Sequence, residues 1–322
     1  MDYVSSDVSV VRVDGNGTFV GVGAGSATVT VRFLGNEKYS AAENKTIGVT
    51  VTLNDASIIA KDMNMVIGEK ATISYSTVPA GLNVTFVADN SGVVSVSNDG
   101  VVTALKTGVA KITILTGDNK KYALNSTTVT VNVNKIPTQI TASNIATVFN
   151  VKKNIVITLK DGNGKPISGA RITVDLNGAE TYTTGANGQV KVPTKKSVPK
   201  TYTAKITFKG SDIYAKSSKN VKVTLKKGTP KITASKKTFK VNVKTKKYTI
   251  TLKTNMNKVM KNKKVTLKVN GKTYKATTNS KGKATFKITK LTKKGKFNAV
   301  IKFAGNSYYK MVTKTIRITV KK

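Results

Sequence analysis

Apolar and polar residues alternate along most of the chain. Ala204, Ile206 and Phe208 interleave with Lys205, Thr207 and Lys209, and Ala299, Ile301 and Phe303 interleave with Val300 and Lys302. Successive side chains of a strand point to opposite faces, so these runs predict strands with one face in a core and one in solvent. The chain is rich in Val, Ile and Thr, β-branched types that suit a pleated, half-buried surface. No stretch sustains a helical period with caps at both ends, and the Gly, Asn and Asp clusters between runs read as turns. The expectation is an all-β chain.

A signature recurs four times: an alternating strand, a Gly, a Tyr four or five residues on, and a closing alternating strand. Its copies centre on Gly35 and Tyr39, Gly117 and Tyr122, Gly210 and Tyr214, and Gly305 and Tyr309. The Tyr-to-Tyr spacings are 83, 92 and 95 residues, the size of one small β-sandwich. Boundaries follow the closing strands. They predict complete modules over 54–135, 136–228 and 229–322, the last two opening alike on ITAS. Residues 10–31 lie over 93–114, so 1–53 is expected to be only the C-terminal half of a module. Half a sandwich exposes its inner face. The architecture expected is an elongated array of immunoglobulin-like β-sandwiches.

The chain has no Cys, His or Trp. Thiolate chemistry, disulfides, Cys-based metal sites and the commonest general base are therefore absent. Acid–base or glycosidase chemistry needs paired carboxylates in a cleft. Residues 229–322 have no carboxylate side chain, and Asp161, Asp175, Glu180 and Asp212 are scattered through 136–228. The sequence thus predicts no catalytic residue, no cofactor and no metal; Asp161 and Asn163 read as a plain turn. No window approaches the roughly 18 apolar residues of a membrane helix, and no secretory leader is visible. A surface protein needs one, so the expectation is that the chain begins inside something longer.

Charge is distributed as a gradient. Residues 1–135 are net neutral, 136–228 carry +12 and 229–322 carry +28, within a total of +40. Lys outnumbers Arg 51 to 4, which favours diffuse attraction over the bidentate recognition of phosphate or guanine. Lys264, Thr266 and Lys268 interleave with Val265, Leu267 and Val269, so the charge should lie on sheet faces. Lys on edge strands also blocks sheet-to-sheet pairing. Even so, 28 positive residues with no negative one exceed what solubility requires. Lys205, Lys209, Lys264, Lys268 and Lys302 are the candidate polyanion-facing residues.

Two resemblances carry further. Ile67-Gly68-Glu69 followed by VVSVSNDGVVTALKTGVAKITI resembles the bacterial Ig-like modules of intimin-type surface proteins, and LKDGNGKPISGARITVDLNG with TTGANGQVKV resembles invasin-type modules. Residues 229–322 keep that frame but have TNMNKV in place of the DGNGKP turn, which leaves that turn open. The Lys-rich repeats with Gly-Asn-x-x-Tyr before a final strand resemble the adhesin-like Ig-repeat proteins of methanogenic archaea. These resemblances imply a non-catalytic extracellular stalk at a cell surface that presents a distal domain.

The partners expected are an acidic wall or surface polymer at the basic end, and a host or neighbouring cell reached through parts outside this chain. No specific nucleic acid is expected. The alternatives are a general polyanion binder, or the spacer of a surface enzyme. Recurrence of the Gly–Tyr element favours a structural tyrosine at the end of each sandwich; Tyr308 beside Tyr309 is the candidate for loop-tip contact. Asn-x-Ser/Thr triplets at Asn16, Asn44, Asn83 and Asn125 are candidate glycosylation sites, all within 1–135.

Overall fold

The computed structural model describes residues 1–117, 120–194 and 197–322. Every regular element among them is a strand. Asp118 and Asn119, in the loop of the second Gly–Tyr copy, lie outside the described residues. Among the described residues the strands fall into four sets, and no ladder joins one set to another. By compactness the chain forms two units: Met1–Ile136 with Asp212–Tyr214, and Pro137–Ser211 with Ala215–Lys322.

The first set comprises β1 (Asp2–Ser5), β2 (Val11–Val13), β3 (Phe19–Gly21), β4 (Gly25–Phe33) and β5 (Ala42–Val51). Its ladders are β1–β4–β5 and the hairpin β2–β3. The second comprises β6 (Ser57–Ala60), β7 (Met63–Val66), β8 (Lys70–Thr72), β9 (Tyr75–Val78), β10 (Val84–Ala88), β11 (Val94–Val96), β12 (Val101–Ala104), β13 (Gly108–Thr116) and β14 (Ser126–Asn134). It forms the sheets β10–β13–β14–β7 and β11–β12–β8, with the pair β6–β9. The two sets share a register: Gly25 and Gly108 adopt φ of 149° and 154°, each with a valine Cγ2 2.9 Å from where a Cβ would sit. They differ in what closes the core. Val102 is sealed by the β12–β8 ladder, whereas its counterpart Phe19 is 39% exposed on a hairpin with no such third strand. The core of the first set is correspondingly small, centred on Val10, Val11, Ala27 and Val29.

The third set comprises β15 (Thr138–Ala142), β16 (Ile145–Val148), β17 (Asn154–Asp161), β18 (Arg171–Asp175), β19 (Ala179–Thr183), β20 (Gln189–Pro193), β21 (Thr201–Phe208) and β22 (Ser217–Lys226). The fourth comprises β23 (Lys231–Thr233), β24 (Lys237–Lys240), β25 (Lys246–Lys253), β26 (Lys264–Val269), β27 (Lys272–Thr277), β28 (Lys283–Ile288), β29 (Gly295–Phe303) and β30 (Val312–Lys321). Both have one topology. A three-stranded sheet, β15–β17–β20 or β23–β25–β28, faces a five-stranded one, β16–β22–β21–β18–β19 or β24–β30–β29–β26–β27. In immunoglobulin lettering these are A–B–E against A′–G–F–C–C′, with A′ running parallel to G. The chain is therefore all-β, a tandem series of Ig-like sandwiches.

The alternation read from sequence is the burial pattern of these strands. In β29, Ala299, Ile301 and Phe303 are buried while Val300 and Lys302 are exposed. With Leu267, Phe286 and Ile250 they belong to one core in the fourth set.

Candidate functional site

Two turns hold the strands of the third and fourth sets in register, and the same chemistry builds them from different residues. In the third, the Asp161 carboxylate accepts the N–H groups of Asn163 at 3.0 Å and Lys165 at 2.9 Å. In the fourth, the Thr254 hydroxyl accepts those of Met256 at 3.2 Å and Lys258 at 3.1 Å. Gly164 and Asn257 both adopt positive φ there. TNMNKV thus makes the turn that DGNGKP makes, because one side-chain oxygen and one residue tolerant of positive φ are all it requires. The Asp161 carboxylate is committed to backbone donors. Buried Thr184 and Thr278 form a second matched pair. Thr184 accepts from Ala170 N–H and donates to Ile167 C=O, and Thr278 accepts from Lys263 N–H and donates to Met260 C=O. At the neighbouring Gly188, φ is +69° and a Cβ would lie 2.5 Å from the Leu159 carbonyl oxygen, so only glycine fits.

These turns place the candidate lysines. Lys264 and Lys268 lie on β26 and Lys302 on β29, all exposed on the outer face of the five-stranded sheet. Thr266 is directly opposite Lys275 on β27 and Lys302 on β29. With strands about 4.8 Å apart, the two lysines flank Thr266 at backbone positions about 10 Å from each other. Lys264, Lys275 and Lys302 line one groove with Thr266 and Thr277, and its volume is 530 Å³. Lys275 was not singled out in the sequence; only the β26–β27 pairing brings it there. Lys205 and Lys209 occupy the matching face of the third set and line a separate groove with Lys216. Asp175 stands directly opposite Lys205. The equivalent position in the fourth set is Lys268, opposite Val300. The structure therefore gathers the candidate residues on like faces of two sets, with a carboxylate beside them in one only.

The Gly–Tyr elements lie between the last two strands of each set, and in the second, third and fourth sets the tyrosine lies beside the segment by which the chain enters that set. Asn54, Ile136 and Gly228 bridge in parallel to Tyr122, Tyr214 and Tyr309. In the fourth set the Asn306 side chain accepts N–H from Tyr308 and Tyr309, both at 2.9 Å, which closes the Gly-Asn-x-x-Tyr turn. Gly228 donates to the Tyr308 carbonyl at 3.0 Å and accepts from Lys310 N–H at 2.8 Å. Tyr309 is 8% exposed and Tyr308 38%. Both rings meet Phe149, in the turn after β16 of the third set, at centroid distances of 5.5 and 4.7 Å. Asn150 Nδ2 donates to the Tyr309 hydroxyl at 3.1 Å. Both tyrosines are thus engaged by the preceding set of strands. In the first set, Tyr39 is 68% exposed.

Asn16, Asn44 and Asn83 are exposed, and Asn125 is half-buried just before β14, its N–H donated to Thr116 Oγ1 at 2.8 Å. Among the described residues no group of three His, Cys, Asp or Glu side chains could hold a metal ion, and no helix is long and apolar enough to cross a membrane. Glu180 accepts a short hydrogen bond from the Tyr182 hydroxyl. That bond, then burial, then the Glu180 charge push the phenol up to about 12.

No protein-family model matches the chain, and no curated relative does. Among solved structures, it is similar to one described as a 1.5-MDa bacterial ice-binding adhesin, with 11% identity, 92% of each chain covered and a TM-score of 0.27. An I-band fragment of titin has 11% identity over 83% of this chain and 98% of its own, with a TM-score of 0.36. Domains 4 to 9 of the surface layer protein SbsC have 17% identity over 98% of this chain and 57% of theirs, with a TM-score of 0.23.

Proposed function

We propose that the chain is a non-catalytic, adhesin-like stalk of Ig-like modules, over 54–135, 136–228 and 229–322 with a partial module over 1–53. In this reading it stands at the outer surface of a cell, presents a distal domain, and is held to the acidic envelope by its basic C-terminal modules. The observation that carries the reading is the carboxylate-free surface of 229–322, where Lys264, Lys268, Lys275 and Lys302 share one outer sheet face. A field of one sign attracts an oppositely charged polymer without a shaped pocket. Lysine, a hydrated point charge, suits that diffuse attraction.

Binding of the full chain to isolated cell walls tests the proposal, beside a chain ending at Gly228. The full chain is expected to be retained at low salt and released at high salt, with the shorter chain washing through. Equal retention of the two would remove the role given to the basic end. A general polyanion binder, the second reading, predicts duplex DNA competing as well as wall polymer, with affinity falling steeply in salt.

A further inference from the structure

We infer that the fourth strand set holds an acidic polymer on both of its outer sheet faces at once; this rests on the polyanion reading above and adds where the polymer is held. One face is the five-stranded sheet with Lys264, Lys268, Lys275 and Lys302. The other is the three-stranded sheet, where Lys231, Lys247, Lys283 and Lys287 are exposed. On this second face like charges stand directly opposite one another, Lys231 with Lys253 and Lys247 with Lys287. Such pairs are destabilising in a sheet. The corresponding pairs in the third set are Gln139 with Lys160 and Asn154 with Pro193. The frame thus folds without lysine facing lysine at these positions, and the doubled charge answers to something outside the fold.

Geometry excludes one-sided compensation. The sheets are about 10 Å apart and each lysine reaches outward, so ammonium groups on opposite faces are about 20 Å from each other, against a screening length of about 8 Å at physiological salt. Between them lies an apolar core that includes Ile250, Leu267, Phe286 and Ile301. A polymer lying on one face leaves the charges of the other face unmatched. Binding to both lets each displace its own counterions.

The ligand class follows from what stands between the lysines. Thr266 separates Lys275 from Lys302, and Thr249 and Thr285 pair across the second face through hydroxyls 2.8 Å apart. Neither face offers an exposed aromatic ring on its strands for base stacking. A flexible, hydroxyl-bearing acidic polymer of the polyuronate kind fits these surfaces.

The test uses the full chain and polygalacturonate, with affinity measured across a salt series. Two variants each neutralise one face: K264Q/K268Q/K275Q/K302Q, and K231Q/K247Q/K283Q/K287Q. Each is expected to lower the slope of log affinity against log salt by a comparable amount, roughly one unit per lysine removed. Circular dichroism is expected to show both variants folded and melting no lower than the parent. A slope changed by only one of the variants, or by neither, overturns two-faced binding. If the parent chain fails to bind polygalacturonate at low salt but is retained on isolated cell walls, the polyuronate assignment is overturned; if it is retained by neither, the underlying polyanion reading falls with it.

Discussion

Lys246 and Lys247 are neighbours in sequence with opposite fates. Lys246 is in phase with Tyr248, Ile250 and Leu252 and is 2% exposed, its ammonium donating to the carbonyls of Val243 at 2.8 Å and Val241 at 3.4 Å. Lys247 is exposed opposite Lys287. Alternation alone assigns the two to opposite faces; the carbonyls that satisfy a buried ammonium come from the loop before β25 and are not legible in it. Lys246→Ala is expected to cost about 1–3 kcal/mol, because it leaves those acceptors unpaired. Lys247→Thr should stabilise by up to about 1 kcal/mol through loss of like-charge repulsion. The midpoint of the urea-unfolding transition of the fourth set, read for each variant, checks both signs.

At the scale of elements, recurrence of Gly-x-x-x-Tyr is what marked the loops as structural. A need that repeats with the fold belongs to the fold. The partner of Tyr309 was not readable, since Asn150 is 159 residues earlier and in another strand set. A double-mutant cycle on Phe149→Ala and Tyr309→Ala should show coupling of about 0.5–1.5 kcal/mol, the size of an aromatic pair. Independence of the two would mean that the ring contact contributes nothing in solution.

The β2–β3 hairpin offers a pH test. Hydrogen bonds from the Thr18 and Asn16 N–H groups, at 2.8 and 2.9 Å, hold the Asp14 carboxyl below its ordinary value. A depressed folded pKa means that this support is present above the unfolded value near 3.9 and is lost as pH falls through the folded one. Amide exchange at Asn16 and Thr18, corrected for its intrinsic pH dependence, is expected to show lower protection in that acid range.

Across the whole molecule, charge separates the two ends more sharply than fold does. Residues 229–322 contain no Asp, Glu or His, the side chains that ordinarily titrate in mild acid. Any pH dependence of polymer binding through them must then come from the polymer. A polyuronate is expected to release the chain as its carboxyls protonate below about pH 4, whereas a phosphodiester polymer should remain bound. Retention of polyuronate at pH 2 would exclude charge attraction as the cause. Added salt should raise the melting midpoint of the fourth set, because it screens repulsion among 28 positive side chains.

What the sequence determined by itself was local and periodic. Strand class, inward and outward positions and the spacing of repeats all follow from a two-residue alternation and from turn residues whose preferences are short-range. The TNMNKV turn is not legible in the sequence because Thr254 stands where the third set has Asp161, and only a three-dimensional hydrogen-bond pattern reveals that a hydroxyl and a carboxylate do one job. Tertiary structure alone decided which lysines stand opposite each other, that Lys275 joins Lys264 and Lys302, and that Phe149 meets Tyr308 and Tyr309. Those are matters of register and of contacts between distant segments, and a strand's own residues carry no record of the strand laid beside it.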